Sequence, residues 1–97
     1  MVKYDAKDGR LVCEFPGNMD TESCHAISDE LLSRITESKT PIVFDMRNVD
    51  YVASIFLGLC ISVAKKVGRG SFSFVNIRPN VRKVFKIAKL DTLLTID

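Results

Sequence analysis

Residues 42–75, IVFDMRNVDYVASIFLGLCISVAKKVGRGSFSFV, decide the fold. Ile42-Val43-Phe44 is a short, continuous apolar run, the pattern of a central strand covered on both faces or of a strand in a parallel sheet. From about Ser54 to Val67 apolar residues recur around a helix axis, and Gly68-Arg69-Gly70 closes that helix with glycine and turn chemistry. Ser71 to Val75 then alternates around Phe72 and Phe74 and reads as the next strand. A strand, a helix and a strand joined by short loops predict a right-handed crossover and a parallel pair.

The flanking sequence extends the same pattern. Residues 2–6 and 10–15 are extended, and Asp8-Gly9 between them is a hairpin turn signal. Pro16-Gly17-Asn18 breaks the second run, and Asp20 or Thr21 can cap a helix with Glu22 in its first turn. Cys24, Ile27, Leu31 and Ile35 then fall on one face at steps of three and four. Lys39-Thr40-Pro41 ends that helix at about residue 37, because proline disfavours helical geometry in the residue before it. Pro79-Asn80 opens a last helix with Val81, Val84, Phe85 and Ala88 as its stripe, and Leu90, Leu93, Leu94 and Ile96 continue into a short terminal packing segment. The order is β-β-α-β-α-β-α. It predicts one α/β domain over residues 1–97, with a four- to five-stranded sheet, parallel except at the hairpin edge and packed by helices.

Composition narrows the class. Two full domains would need roughly twice the 97 residues present. With 46% apolar and 27% charged residues the chain is an ordinary globular composition. The net charge of +2 does not by itself imply a nucleic-acid partner. The longest charge-free apolar run, Val52 to Ala64, falls short of the ~20 residues of a membrane span. The amino terminus lacks a basic-then-apolar signal, and Cys13, Cys24 and Cys60 are an odd set at wide spacing. Both features point to a cytoplasmic protein with three small buried thiols and no zinc site.

Enzyme signatures are missing. No G-x-G-x-x-G follows a strand and no phosphate-binding loop is present, so no cofactor is expected. Cys24 and His25 are neighbours on a helix and would point apart, which makes a poor nucleophile–base pair, and no residue is assigned a catalytic role. Asp45, at a strand end, and Asp20, at a helix start, could meet at the end of a parallel sheet where ligands bind in such folds. The last helix carries a basic stripe of Arg82, Lys83, Lys86 and Lys89, with Arg78 before it. It is either a solvated face or a surface for an acidic protein, a lipid headgroup or nucleic acid. The second helix is apolar almost all round, so Ile55 and Phe56, at its first turn, either form an uncovered interface or are buried under the first helix or the loop.

The chain resembles the STAS domains, specifically the bacterial anti-sigma factor antagonists, along nearly its whole length. The resemblance is carried by Pro16-Gly17-Asn18-Met19-Asp20 before the first helix, by the stretch from Ile42 to Val52, by Leu57-Gly58-Leu59, and by the tail from Val81 to Leu94. It implies a non-enzymatic partner switch. Such proteins bind a GHKL-type serine kinase that also acts as an anti-sigma factor, are phosphorylated at the start of the switch helix, and are reset by a PP2C-type phosphatase. The family motif is Asp-Ser-Ser-Gly-Leu-Gly with the second serine modified; here it reads Ala53-Ser54-Ile55-Phe56-Leu57-Gly58. Aligned this way, Ile55 takes the acceptor position, so phosphorylation is lost or relocated to Ser54, unless Ser54 serves as the helix N-cap. The resemblance places the partner surface at Asp20, Ser54, Ile55, Phe56, Leu57 and Gly58, in a monomer or weak dimer without direct nucleic-acid contact. Within the same fold a scaffold STAS protein, of a stress-signalling complex or of a lipid-transporter ATPase, is the alternative. A domain binding a nucleotide or other small ligand near Asp20 and Ser54 is the rival class.

Overall fold

The computed structural model describes residues 1–90 and the strand at 95–96. The hairpin consists of β1 (Lys3–Lys7) and β2 (Arg10–Glu14). Asp8 and Gly9 between them sit at φ 54° and 74°, the left-handed pair that a two-residue turn needs to match the strand twist. There follow α1 (Thr21–Ser38), β3 (Ile42–Asp45), α2 (Ser54–Val67), a 3-10 turn at Arg69–Ser71, β4 (Phe72–Val75), α3 (Pro79–Ile87) and the two-residue β5 (Thr95–Ile96). The sheet runs β1-β2-β3-β4-β5, and β1–β2 is its antiparallel pair. The element order and the mixed sheet follow the expectation from sequence. The anticipated packing of Leu93, Leu94 and Ile96 lies outside the described side chains; Leu90 just before them is buried.

Each crossover steps one strand in the same direction, so right-handed connections put the three helices on one face of the sheet. Alternation along the strands then sorts the side chains. Leu11, Cys13, Ile42, Phe44, Phe72 and Phe74 point under the helices and join the core. Their neighbours Val12, Val43, Asp45, Ser73 and Val75 point to the other face. All four residues of β3 are buried, which accounts for its unbroken apolar run.

All six phenylalanines of the chain are fully buried in one contiguous group. Phe44 is its hub. Its ring meets Phe15 at 4.8 Å, Phe72 at 4.7 Å and Phe74 at 5.6 Å between centroids, each edge to face, and Phe56 at 6.2 Å, tilted. Phe56 also meets Phe15 at 5.4 Å and 88°, and Phe85 of α3 closes on Phe74 at 5.0 Å. Edge-to-face pairs add about 0.5–1.5 kcal/mol each beyond the area they bury. The expectation that Phe56 is an exposed anchor is therefore corrected: it is 0% exposed. The ring turns inward because two aromatic neighbours on β3 and on the chain after β2 complete its contacts. The rest of the apolar girdle of α2 is also accounted for, since Leu57, Ile61, Ala64 and Val67 are partly buried against the core.

The three cysteines are buried and unbridged. Burial pushes the Cys13 thiol up to about 12 and raises Cys24 and Cys60 as well, so none supplies a thiolate near neutral pH. Phe56→Ala should destabilise the domain by about 3–5 kcal/mol, as for any large core aromatic. Urea unfolding checks this; a loss under about 1 kcal/mol would mean that the ring is not packed as described.

Candidate functional site

The carboxyl ends of the parallel strands feed the loops that start each helix, and two backbone hydrogen bonds tie two of those starts together. Met19 N–H donates to the Tyr51 carbonyl at 3.0 Å, and Ala53 N–H donates to the Met19 carbonyl at 2.8 Å. This is a one-residue parallel bridge between Met19 and Val52. It sets Asp20, the N-cap of α1, beside Ala53 and Ser54 at the start of α2. Asn18 reinforces the join: its side-chain oxygen accepts from Asp50 N–H at 2.8 Å and from Tyr51 N–H at 3.1 Å. The Pro16-Gly17-Asn18 break is thus a clasp as well as a chain reversal.

The two helix starts differ. The carboxylate of Asp20 accepts from Ser23 N–H at 2.8 Å, a standard cap. That hydrogen bond holds the Asp20 carboxyl below the usual carboxylate range, so it is ionised at neutral pH. The cap of α2 is Ala53, which has no side chain to offer, and no acid stands in the first turn. Phe56 N–H turns back to the Ala53 carbonyl at 2.9 Å, so the Ser54 and Ile55 N–H groups and the positive end of the helix dipole are left without a side-chain cap. Ser54 is the first helical residue, not the cap, and its side chain is exposed. Among the described residues its hydroxyl has no hydrogen bond within the chain. The reading that Ile55 displaces the acceptor is corrected on this geometry: a serine occupies the first position of the switch helix, where the phosphoacceptor is expected.

Helix geometry distributes the following residues. Phe56 points into the core, so Ile55 turns out to solvent, 37% exposed. Leu57 is half-buried, and Gly58, one turn beyond Ser54, is exposed. A Cβ built on Gly58 meets nothing within 4 Å, so the fold does not require glycine there. Tyr51, on the loop before α2, is 54% exposed. The sequence reading did not single out Tyr51; the signal was an aromatic between charged Asp50 and buried Val52 in an extended loop. Asp20, Ser54, Ile55 and Gly58 are thus at the surface together with Tyr51, while Phe56 is beneath them.

The loop from Asp45 to Tyr51 is held by polar contacts that the sequence reading also missed. Arg78 donates from Nε and Nη2 to the Arg47 carbonyl, at 3.0 and 2.8 Å, and from Nη1 to the Asp50 carboxylate at 3.0 Å. The Asn80 side-chain amide donates to the Asp50 carbonyl. Arg78 is therefore part of this loop clamp and not of the basic stripe on α3, a third correction. Asp45 does not join Asp20 at a ligand site either. Buried beside the loop, it accepts from Arg47 Nε, Arg47 N–H and the Asn76 amide at 3.1–3.2 Å, and its second oxygen pairs with Arg47 Nη2 at 2.9 Å. Burial alone would raise its carboxyl, but the bonds from Arg47 and Asn76, with the guanidinium charge, outweigh that and hold it below the usual range.

This sets a sign for pH dependence. A carboxyl depressed in the folded state adds stability that is present above its unfolded pKa of about 3.9 and is lost as pH falls through the folded value. Asp45→Asn should cost about 1–3 kcal/mol at neutral pH and flatten the loss of stability below about pH 4. Urea melts of both proteins across that range check it; parallel acid slopes would show that Asp45 is not a linked group.

Comparison with known proteins agrees with this geometry. The sequence profile of the STAS domain matches residues 1–97. BtrV of Bordetella bronchiseptica, assigned by inference as an anti-sigma factor antagonist, is 27% identical over 89 residues, covering 90% of this chain and 77% of its own. An anti-sigma factor antagonist from Mycobacterium paratuberculosis superposes with a TM-score of 0.87 at 20% identity, over 99% of this chain and 83% of the other. The phosphorylated form of SpoIIAA, a Bacillus cell fate determinant, superposes with a TM-score of 0.68 at 16% identity, over 100% and 91%. A profile match along the whole sequence, on a fold shared with these structures, makes this chain a member of the STAS domain family.

Proposed function

We propose that this domain is an anti-sigma factor antagonist that works as a partner switch in the cytoplasm, through the surface around the start of α2. The observation that carries the reading is the exposed serine on an uncapped helix N-terminus, flanked by exposed Ile55 and Tyr51. Ile55 and Tyr51 supply an apolar centre, and Asp20 with Ser54 supplies a polar rim, the build of a protein-binding patch. The partner is a GHKL-type kinase that is also an anti-sigma factor, and capture of that kinase releases the sigma factor. Phosphorylation of Ser54 places nearly two negative charges inside the patch, next to the Asp20 carboxylate. The free N–H groups of α2 tolerate the modified residue in the isolated domain, while repulsion and desolvation break the complex. A PP2C-type phosphatase restores the binding form.

Incubation with the cognate kinase and ATP should add one phosphate, mapped by mass spectrometry to Ser54, and Ser54→Ala should remain unmodified. Modification at a distant residue such as Ser28 or Ser71, with loss of binding, would place the switch elsewhere. Tyr51→Ala should weaken the complex by roughly 1–3 kcal/mol, the range of an aromatic anchor. Ile55→Asp should abolish binding through an unpaired charge at the interface while leaving the urea midpoint near that of the wild type. Calorimetric titration reads both; unchanged affinity in the two variants would remove the patch from the mechanism. Gly58 allows a separation of folding from binding. Gly58→Ala should stabilise the domain by about 0.5–1 kcal/mol, and Gly58→Leu should keep the fold but obstruct the partner.

A further inference from the structure

The charges of the chain are divided along the sheet. The first fifty residues carry ten carboxylates against six cations. Between Asp50 and Asp91 there are eight lysines and arginines and no acid at all. Since the strands lie in chain order, the basic half forms one flank of the domain, ending on α3. On that helix Val81 and Phe85 are buried in the core. The opposite face presents Lys83 and Lys86, and among the described residues no carboxylate pairs with either. Around the helix axis Ile87, 75% exposed, lies next to Lys83, with Val84, 36% exposed, on its other side. A large aliphatic side chain left this open on an ordered helix, with lysines on one side of it, is an unpartnered face. It lies at the far edge of the sheet from β1 and is separate from the Ser54 surface, which sits at the start of α2.

We infer that the Lys83–Ile87 face of α3 is a second docking surface, and that it takes an acidic polypeptide segment with an apolar side chain to cover Ile87. The chemistry favours that occupant over the other polyanions. An amphipathic helix that lies on a membrane buries a broad apolar face among the headgroups. The broad face of α3 is already in the core, and two aliphatic side chains remain outside it. A nucleic-acid surface of the usual kind offers stacking aromatics or a strongly basic domain. All six phenylalanines are buried and the whole chain carries only +2. Carboxylates matched to Lys83 and Lys86 beside a Leu-like anchor on Ile87 would satisfy both halves of the patch, the cations on one side and the apolar pair of Ile87 and Val84 on the other.

The test uses the full chain and a synthetic amphipathic probe peptide of about 18 residues, glutamates with leucines at helical spacing, and a comparator with the leucines replaced by glutamine. Binding is followed by fluorescence anisotropy at near-physiological salt and mapped by amide chemical shifts. The wild type should bind the leucine peptide saturably, with shifts centred on residues 80–88. Lys83→Gln combined with Lys86→Gln should weaken it by roughly tenfold or more, and Ile87→Ala by about fivefold. Ile87→Ala should leave the weaker binding of the leucine-free comparator unchanged. Lys65→Gln combined with Lys66→Gln, on the same basic half but at the end of α2, should have little effect. An equal loss in that control pair would mean a diffuse field and no site, and would overturn the proposal. So would absence of saturable binding, sedimentation with phosphatidylglycerol vesicles without peptide binding, or self-association that Ile87→Ala abolishes.

Discussion

The burial of one ring, Phe56, organises the functional end of this domain. Its edge-to-face contact with Phe15 and its packing on Phe44 fix α2 in rotation about its own axis. With a rotation of about 100° per residue, a helix that points residue 56 into the core must turn residues 54 and 55 away from it. The exposure of Ser54 and Ile55 is therefore a consequence of the core and not a separate feature of the surface. The backbone bridge between Met19 and Val52 completes the constraint by fixing where α2 begins relative to α1.

This arrangement separates two jobs between neighbouring residues. Stability rests on the phenylalanine group and the strands below it; in the proposed switch, recognition is left to Tyr51, Ser54 and Ile55, which are exposed and can change charge or shape at small cost to the fold. The helix start itself is left without a side-chain cap, although α1 shows that this fold accommodates one. A cap at residue 53 would occupy the N–H groups that an anion at Ser54 would use. An alanine at that position forgoes about 1 kcal/mol of helix stability and leaves the end of the helix without a side-chain acceptor.

Much of the fold could be read from pattern alone. Period-two strands, three helices with clear stops, and short loops left few topologies, and right-handed crossovers selected one. The site was less legible, for physical reasons that can be named. The apolar girdle of α2 does not tell which of Ile55 and Phe56 faces inward; only the aromatic partners from Phe15 and β3 decide it, and those contacts are remote in sequence. Asn18 and Arg78 read as a turn residue and as part of a basic stripe, because nothing local shows that each hydrogen-bonds to a loop some thirty residues away. Nothing local marks Tyr51 as exposed, because an aromatic in a strand-like run is ordinarily buried. Motif alignment placed the acceptor by residue identity, whereas the position of the serine on the helix is set by where the helix starts.

The central claim is that recognition of the kinase belongs to the start of α2 and the loop clasped to it, not to the core ring beneath. Hydrogen–deuterium exchange of the chain, alone and in complex with its cognate kinase, tests it most directly. The account predicts new protection confined to the amides of residues 18–20 and 51–58, and reversal of that protection when the complex is phosphorylated. Protection elsewhere, on the outer face of α1 or along β1, with the 51–58 segment unchanged, would contradict it.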